Sequence, residues 1–117
     1  MNFQRRVLGW ANHCFPNRTI FNKKERNLRF IEEALELVQS LDLSKEDVLK
    51  LVNYVYSRDK GHYFQEVGGV LITLSVLASV NSIELDFAGE TELERIYGKV
   101  EEIREKQKFK EGNGITG

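Results

Sequence analysis

Three glutamates have the type and spacing to do chemistry: Glu33 and Glu36, three residues apart, and Glu66 at the head of the most apolar stretch of the chain. Positions i and i+3 of a helix point the same way, so Glu33 and Glu36 can share one cation. Hard Mg²⁺ prefers carboxylate oxygens and keeps positions open for water and phosphate. On its own such a pair is most often a solvated face. Glu66 shifts the balance. It opens QEVGGVLITLSVLASV, residues 65–80, where apolar residues do not alternate with charge. A carboxylate buried there is costly unless it is paired or metal-bound. Three acids converging in a helical core would make a metal site. The competing reading pairs Glu66 with Arg26, Arg29 or Arg104.

Other candidate groups carry less. Gly68-Gly69 lacks the spacing and the following Lys-Ser/Thr of a phosphate loop. Two glycines inside a helix cost about 1 kcal/mol each relative to alanine. A close approach of another helix or of a ligand is the expected compensation. His13 and His62 lack metal-ligand spacing and read as surface or packing residues. Cys14 sits in an apolar stripe and reads as core rather than nucleophile. Trp10 also reads as core, with base stacking as its functional alternative.

The elements that must position these residues follow from periodicity. Residues 65–80 are too many for an ordinary strand and read as a helix that neighbours cover on every side. The stretch reads as too short, and too rich in Ser and Thr, to span a membrane. Phe3, Val7, Trp10, Ala11 and Cys14 give a short amphipathic first helix, ended near Phe15-Pro16-Asn17. Asn22 offers the N-cap of a second helix over 23–40. On that helix Arg26, Arg29, Glu33 and Glu36 lie within an arc of about 80°, opposite the apolar half. Ser44 caps a third helix with Val48, Leu51, Val52, Val55 and Tyr56 as its inner stripe. The central helix is expected to begin near His62. Asp86 or Thr91 would cap a last helix reaching Phe109, whose seam is Leu93, Ile96, Tyr97, Val100 and Ile103. Arg104 projects onto that seam and needs an anion or an acceptor. Lys99 sits at its border, and Arg95 and Lys106 point away.

The fold class expected is all-α, a bundle of four main helices plus a short N-terminal one. Residues 1–110 form the helical domain and 111–117 a frayed tail. A net charge of −1 argues against DNA binding, as does the absence of a basic recognition helix. The single cysteine suits the cytoplasm, and MNFQRRVLGW has no secretory apolar core after its two arginines. No repeat and no membrane partner are expected.

In combination, FQRRVLGWANHCF, ERNLRFIEEALELVQ, QEVGGVLITL and TELERIYGKVEEIREKQ resemble the all-α nucleoside triphosphate pyrophosphohydrolases of the MazG type. They look most like the small MazG-like proteins of bacteriophages and prophages. That family carries Glu-Glu-x-x-Glu on one helix and Glu-x-x-Asp on the next but one, all aimed at Mg²⁺. The first motif is intact here as Glu32-Glu33-Ala34-Leu35-Glu36. In the second, Glu66 is followed by Gly69 where the family has aspartate. The resemblance implies hydrolysis of a nucleoside triphosphate to the monophosphate and pyrophosphate. Glu33, Glu36 and Glu66 would be both catalytic and metal-holding, with Mg²⁺, or Mn²⁺ in its place, as cofactor. Arg29, Lys99 and Arg104 would bind the substrate, the last two through its β- and γ-phosphates. The family is dimeric or tetrameric, so a second copy is the expected partner. The rival expectation is a nucleotide- or metal-binding or protein-interaction module without catalysis, left after loss of the ligand at Gly69.

Overall fold

The computed structural model describes residues 2–15 and 19–112, and every element in them is helical. Six α-helices run in order: α1 Asn2–Cys14, α2 Lys23–Ser40, α3 Lys45–Tyr56, α4 Tyr63–Val80, α5 Leu85–Tyr97 and α6 Val100–Gly112, with a 3-10 turn at Thr19–Phe21 before α2. The expected all-α class holds for the described residues. The helix count does not, because the last long helix is two. Gly98 and Lys99 donate back three residues, to the carbonyls of Arg95 (3.3 Å) and Ile96 (3.0 Å), which closes α5 in a tight turn. Glycine is a poor helix former, and a seam read as one continuous stripe hides such a break. Pro16 and Asn17, expected to end α1, lie outside the described residues, as do residues 113–117 of the expected tail.

Local chemistry explains the other boundaries. Asn22 Oδ1 accepts from Glu25 N (3.2 Å), and Ser44 Oγ from Asp47 N (3.1 Å), as their N-cap positions require. His62 caps α4, its Nδ1 accepting from Phe64 N, and its ring stacks on Tyr63. For α5 the cap is Glu84, whose carboxylate accepts from Phe87 N (2.8 Å). Asp86 and Thr91 both fall inside that helix. α2 and α4 end by one device. Asp42 and Ser82 adopt left-handed backbone, with φ of 67° and 56°. The residues after them, Leu43 and Ile83, donate to Val38 O and Ala78 O. Asp42 N and Ser82 N reach Gln39 O and Ser79 O, which completes a Schellman motif at each end.

The chain divides into two compact units, one holding the residues up to Leu37 and from Glu90 onward, the other Val38–Gly89. The first has the core: Ala11, Cys14, Phe15 and Ile20 are buried, with Trp10, Val100 and Ile103 packed on them. The apolar face read for α1 is therefore its buried face. Covering Phe15 this fully contributes about 1.5–3 kcal/mol. Burial pushes the Cys14 thiol up, with Arg104 opposing, so it stays a packed thiol rather than a nucleophile.

The second unit departs from expectation. α4 is apolar all round, yet Ala78 alone of its residues is buried, and Val67 is 68% exposed. The stripe on α3 is open too, with only Val48 half-buried. Gly68 and Gly69 face open space, so no neighbour among the described residues requires a bare backbone there. The hydroxyls of Thr73, Ser75 and Ser79 turn back onto carbonyls of their own helix at 2.7–3.1 Å. Bonded in this way, they leave the flanks of α4 effectively apolar. By length and composition Tyr63–Val80 could cross a membrane, with a mean hydropathy of 1.4, although the sequence reading took the stretch as too short.

Candidate functional site

In the first unit a cavity of 640 Å³ opens between α2 on one side and α5 and α6 on the other. Glu32, Glu33 and Glu36 enter it from α2, one turn beyond Arg26 and Arg29. Trp10, Phe15 and Phe30 supply aromatic wall, and Ile96 and Ile103 aliphatic wall. Trp10 is held by its indole Nε1–H, which donates to Ile96 O (3.2 Å), and it meets the Phe15 ring edge-on. The facing cations are Arg95, Lys99, Lys106 and Lys110. The volume is in the range of a small-molecule site, and the lining is mostly charged side chains beside a smaller apolar wall.

The charges are already organised in pairs. Arg29 reaches Glu33 at 2.9 Å and Glu32 at 3.4 Å, one and the same guanidinium serving two carboxylates. Lys110, from the far end of α6, meets Glu32 at 2.9 Å. The hydrogen bond from Lys110 holds the Glu32 carboxyl below its ordinary range, and Arg29 adds to this while partial burial opposes it. Arg95 clasps Glu92 through two nitrogens, at 2.9 and 2.6 Å, which lowers the Glu92 carboxyl. Arg95 also feels the charges of Glu33 and Glu102, which places it in the same field as the α2 acids. Lys99 pairs with Glu102 at 3.6 Å.

Arg26 differs from the others. Its Nε and Nη2 are closed to water and have no hydrogen-bond partner among the described residues. The guanidinium lies over the Phe15 ring, 4.7 Å from its centroid. Burial pulls its pKa down, Glu25 opposes that and Arg29 reinforces it.

The expected site residues are thus distributed. Glu33, Glu36, Arg29 and Lys99 share the cavity. Arg104 does not line it. Its Nε donates to Cys14 O (3.3 Å), its Nη2 donates to His13 O, and its Nη1 pairs with Glu101 at 3.1 Å. The acceptors that an inward arginine needs are the last carbonyls of α1, so Arg104 caps that helix. Glu66 belongs to the second unit, exposed in the first turn of α4, where the helix dipole favours an acid. It therefore carries no burial penalty of the kind its apolar sequence surroundings imply. Its carboxylate lies against Gly61, where a Cβ would collide with Oε2.

Sequence reasoning missed Arg26, Arg95, Lys106 and Lys110. For Arg95 and Lys106 the cause is the break at Gly98 and Lys99, since a helical projection carried across it assigns faces wrongly. Lys110 lay beyond the expected end of the helix. The signal that could have found Arg26 was its place on the arc shared with Arg29, Glu33 and Glu36.

The donors suit a hard cation in kind. Glu33 and Glu36 offer exposed carboxylate oxygens on one face, and Mg²⁺ is commonly held by one or two carboxylates with water and phosphate. Among the described residues no three His, Cys, Asp or Glu side chains are gathered closely enough to hold a metal ion. Comparison with known proteins finds no matching family model, no matching curated protein and no matching solved structure.

Proposed function

We propose that the protein is a Mg²⁺-dependent nucleoside triphosphate pyrophosphohydrolase, working at the α2 face of the first unit. The observation that carries the reading is the cavity itself. It combines a carboxylate pair, a cluster of cations and aromatic wall, which are the three things a nucleotide with its counter-ion requires. Mg²⁺, or Mn²⁺ in its place, would supply positive charge to the phosphate oxygens and acidify a water for attack on the α-phosphorus. Glu33 and Glu36 would hold the ion in this reading, and one of these two carboxylates would accept the proton of the attacking water. Arg29 and Lys99 bind the triphosphate and stabilise the departing pyrophosphate. For Arg29 this means leaving Glu33, an exchange of one anion for another across 2.9 Å. Arg104, expected among the substrate-binding residues, lies off the cavity lining, with its Nε and Nη2 donating to carbonyls of α1.

Self-association belongs to the same reading. α3 and α4 expose Leu51, Val55, Phe64, Val67 and Leu71 in one unit. Apolar surface on that scale marks an interaction face, and a second copy of the chain would cover it in a dimer or tetramer. The same face supports the rival reading, a nucleotide- or protein-binding module without catalysis. A thermal-shift panel of nucleotides with and without Mg²⁺ separates them, because a ligand that binds only the folded state raises the melting temperature. The enzyme reading predicts a Mg²⁺-dependent rise with nucleoside triphosphates that Glu36→Gln abolishes. No rise with any triphosphate, in either condition, overturns it.

A further inference from the structure

Five of the six cations around the cavity are accounted for or placed to be so. Arg29, Arg95, Lys99 and Lys110 each have a carboxylate within 4 Å. Lys106 has none among the described residues and is exposed, where water satisfies it. Arg26 is the exception, since two of its N–H groups are sealed from water with no acceptor among the described residues. Buried unmatched donors are rare and costly, and one on a cavity wall is suited to an acceptor that a ligand brings. The guanidinium rests over the Phe15 ring, 4.7 Å from its centroid, at the wall of the cavity. A planar fork of donors matches the oxygens of a phosphate, which it can engage in two parallel hydrogen bonds.

We infer that Arg26 is the phosphate anchor of this cavity, gripping the polyphosphate end of a nucleotide in the absence of any metal. The ligand is larger than an inorganic ion, because the walls beside Arg26 include Trp10, Phe30 and Ile96 and the cavity measures 640 Å³. Binding turns the guanidinium from its resting place on Phe15 toward the open cavity, a motion that its flexible stem permits. The nucleotide as ligand rests on the hydrolase reading above, whereas the anchor role of Arg26 rests on its unmatched donors. Arg26 is thereby a binding residue distinct from Arg29, which is engaged by Glu32 and Glu33.

The test is calorimetric titration of the full chain in excess EDTA with ATP and with adenosine. The parent should bind ATP at least tenfold more tightly than adenosine. Arg26→Gln should weaken ATP at least tenfold and leave helical content by circular dichroism unchanged. Arg26→Lys, which keeps the charge and loses the fork, should fall between them, and it serves as the reading if Arg26→Gln does not fold. Lys45→Gln, on α3, should bind as the parent. Parent-like ATP binding by Arg26→Gln, or by Arg26→Lys where that is the reading, overturns the inference, as does a parent that does not bind ATP without metal. Pyrophosphate release measured separately with Mg²⁺ keeps the two ideas apart. Turnover with parent-like Arg26 variants sinks the anchor alone, and an Arg26-dependent grip without turnover sinks hydrolysis alone.

Discussion

Replacing Gly69 by aspartate restores the fourth carboxylate of the motif, and the structure sets what it should cost. Glycine in a helix interior is worse than alanine by about 0.8–1 kcal/mol, and aspartate by somewhat less, so the exchange gains a few tenths. The new carboxylate stands three residues from Glu66, and like charges at that spacing cost about 0.2–0.5 kcal/mol. The new side chain has no neighbour among the described residues to clash with, since a Cβ at Gly69 meets open space. The sum lies within about 0.5 kcal/mol of zero, or roughly 2–4 °C in melting temperature for a domain of this size. The close approach expected from the paired glycines therefore does not come from the described residues of the chain itself. The assay is thermal and urea unfolding of parent and Gly69→Asp, with Mg²⁺-dependent pyrophosphate release measured on both. The reading predicts near-equal stability and equal or greater activity. A loss above about 2 kcal/mol would refute this estimate and place the covering second copy directly against Gly69.

Arg104→Ala should cost about 1–2 kcal/mol in urea unfolding by uncapping α1, and nucleotide affinity should stay within about twofold, so a selective loss of affinity would reinstate Arg104 as a phosphate ligand. The Glu32 carboxyl is held below its ordinary value of 4.5, so its contribution is complete above that value and is lost as pH falls through the lower folded one. Lys110→Gln should flatten this acid-side loss in pH-dependent unfolding, and an unchanged slope would show that the pair contributes nothing. Val67→Asp on α4 should shift sedimentation from oligomer to monomer while helical content persists. A parent that sediments as a monomer at micromolar concentration, with α4 exposed, would remove self-association from the account.

Much of the fold was legible because its signals are local. Asn22 and Ser44 announced their helices through side-chain oxygens that cap the first N–H groups, and α2 spans the residues expected of it. The face of α1 was legible for the same reason, since Ala11 and Cys14 repeat at helical spacing and are buried. The break between α5 and α6 was not, because Val100 and Ile103 continue the apolar seam of Leu93 and Ile96 in sequence. Only the backbone bonds at Gly98 and Lys99 reveal that the phase restarts there. Glu84 as a cap escaped notice because glutamate is not among the strong N-cap residues. Glu33, Glu36, Arg29 and Lys99, named from motif and resemblance, all line the cavity. The unmatched donors of Arg26 and the α1 carbonyls that hold Arg104 were not foreseen, since neither is a local feature of the sequence. Burial of α4 misled for a physical reason. An apolar helix needs cover, but sequence does not say whether that cover comes from the same chain.

The claim at the centre of this account is that Glu33 and Glu36 support metal-dependent cleavage between the α- and β-phosphates. Phosphorus NMR of reaction products, recorded with each common nucleoside triphosphate in Mg²⁺ or Mn²⁺, tests it most directly. The account predicts monophosphate and pyrophosphate in equal amounts, quenched by EDTA and lowered at least a hundredfold in Glu36→Gln, on the order of the loss seen when a charge-stabilising catalytic group is removed. Diphosphate and inorganic phosphate as products, or a Glu36→Gln rate equal to the parent's, would contradict it.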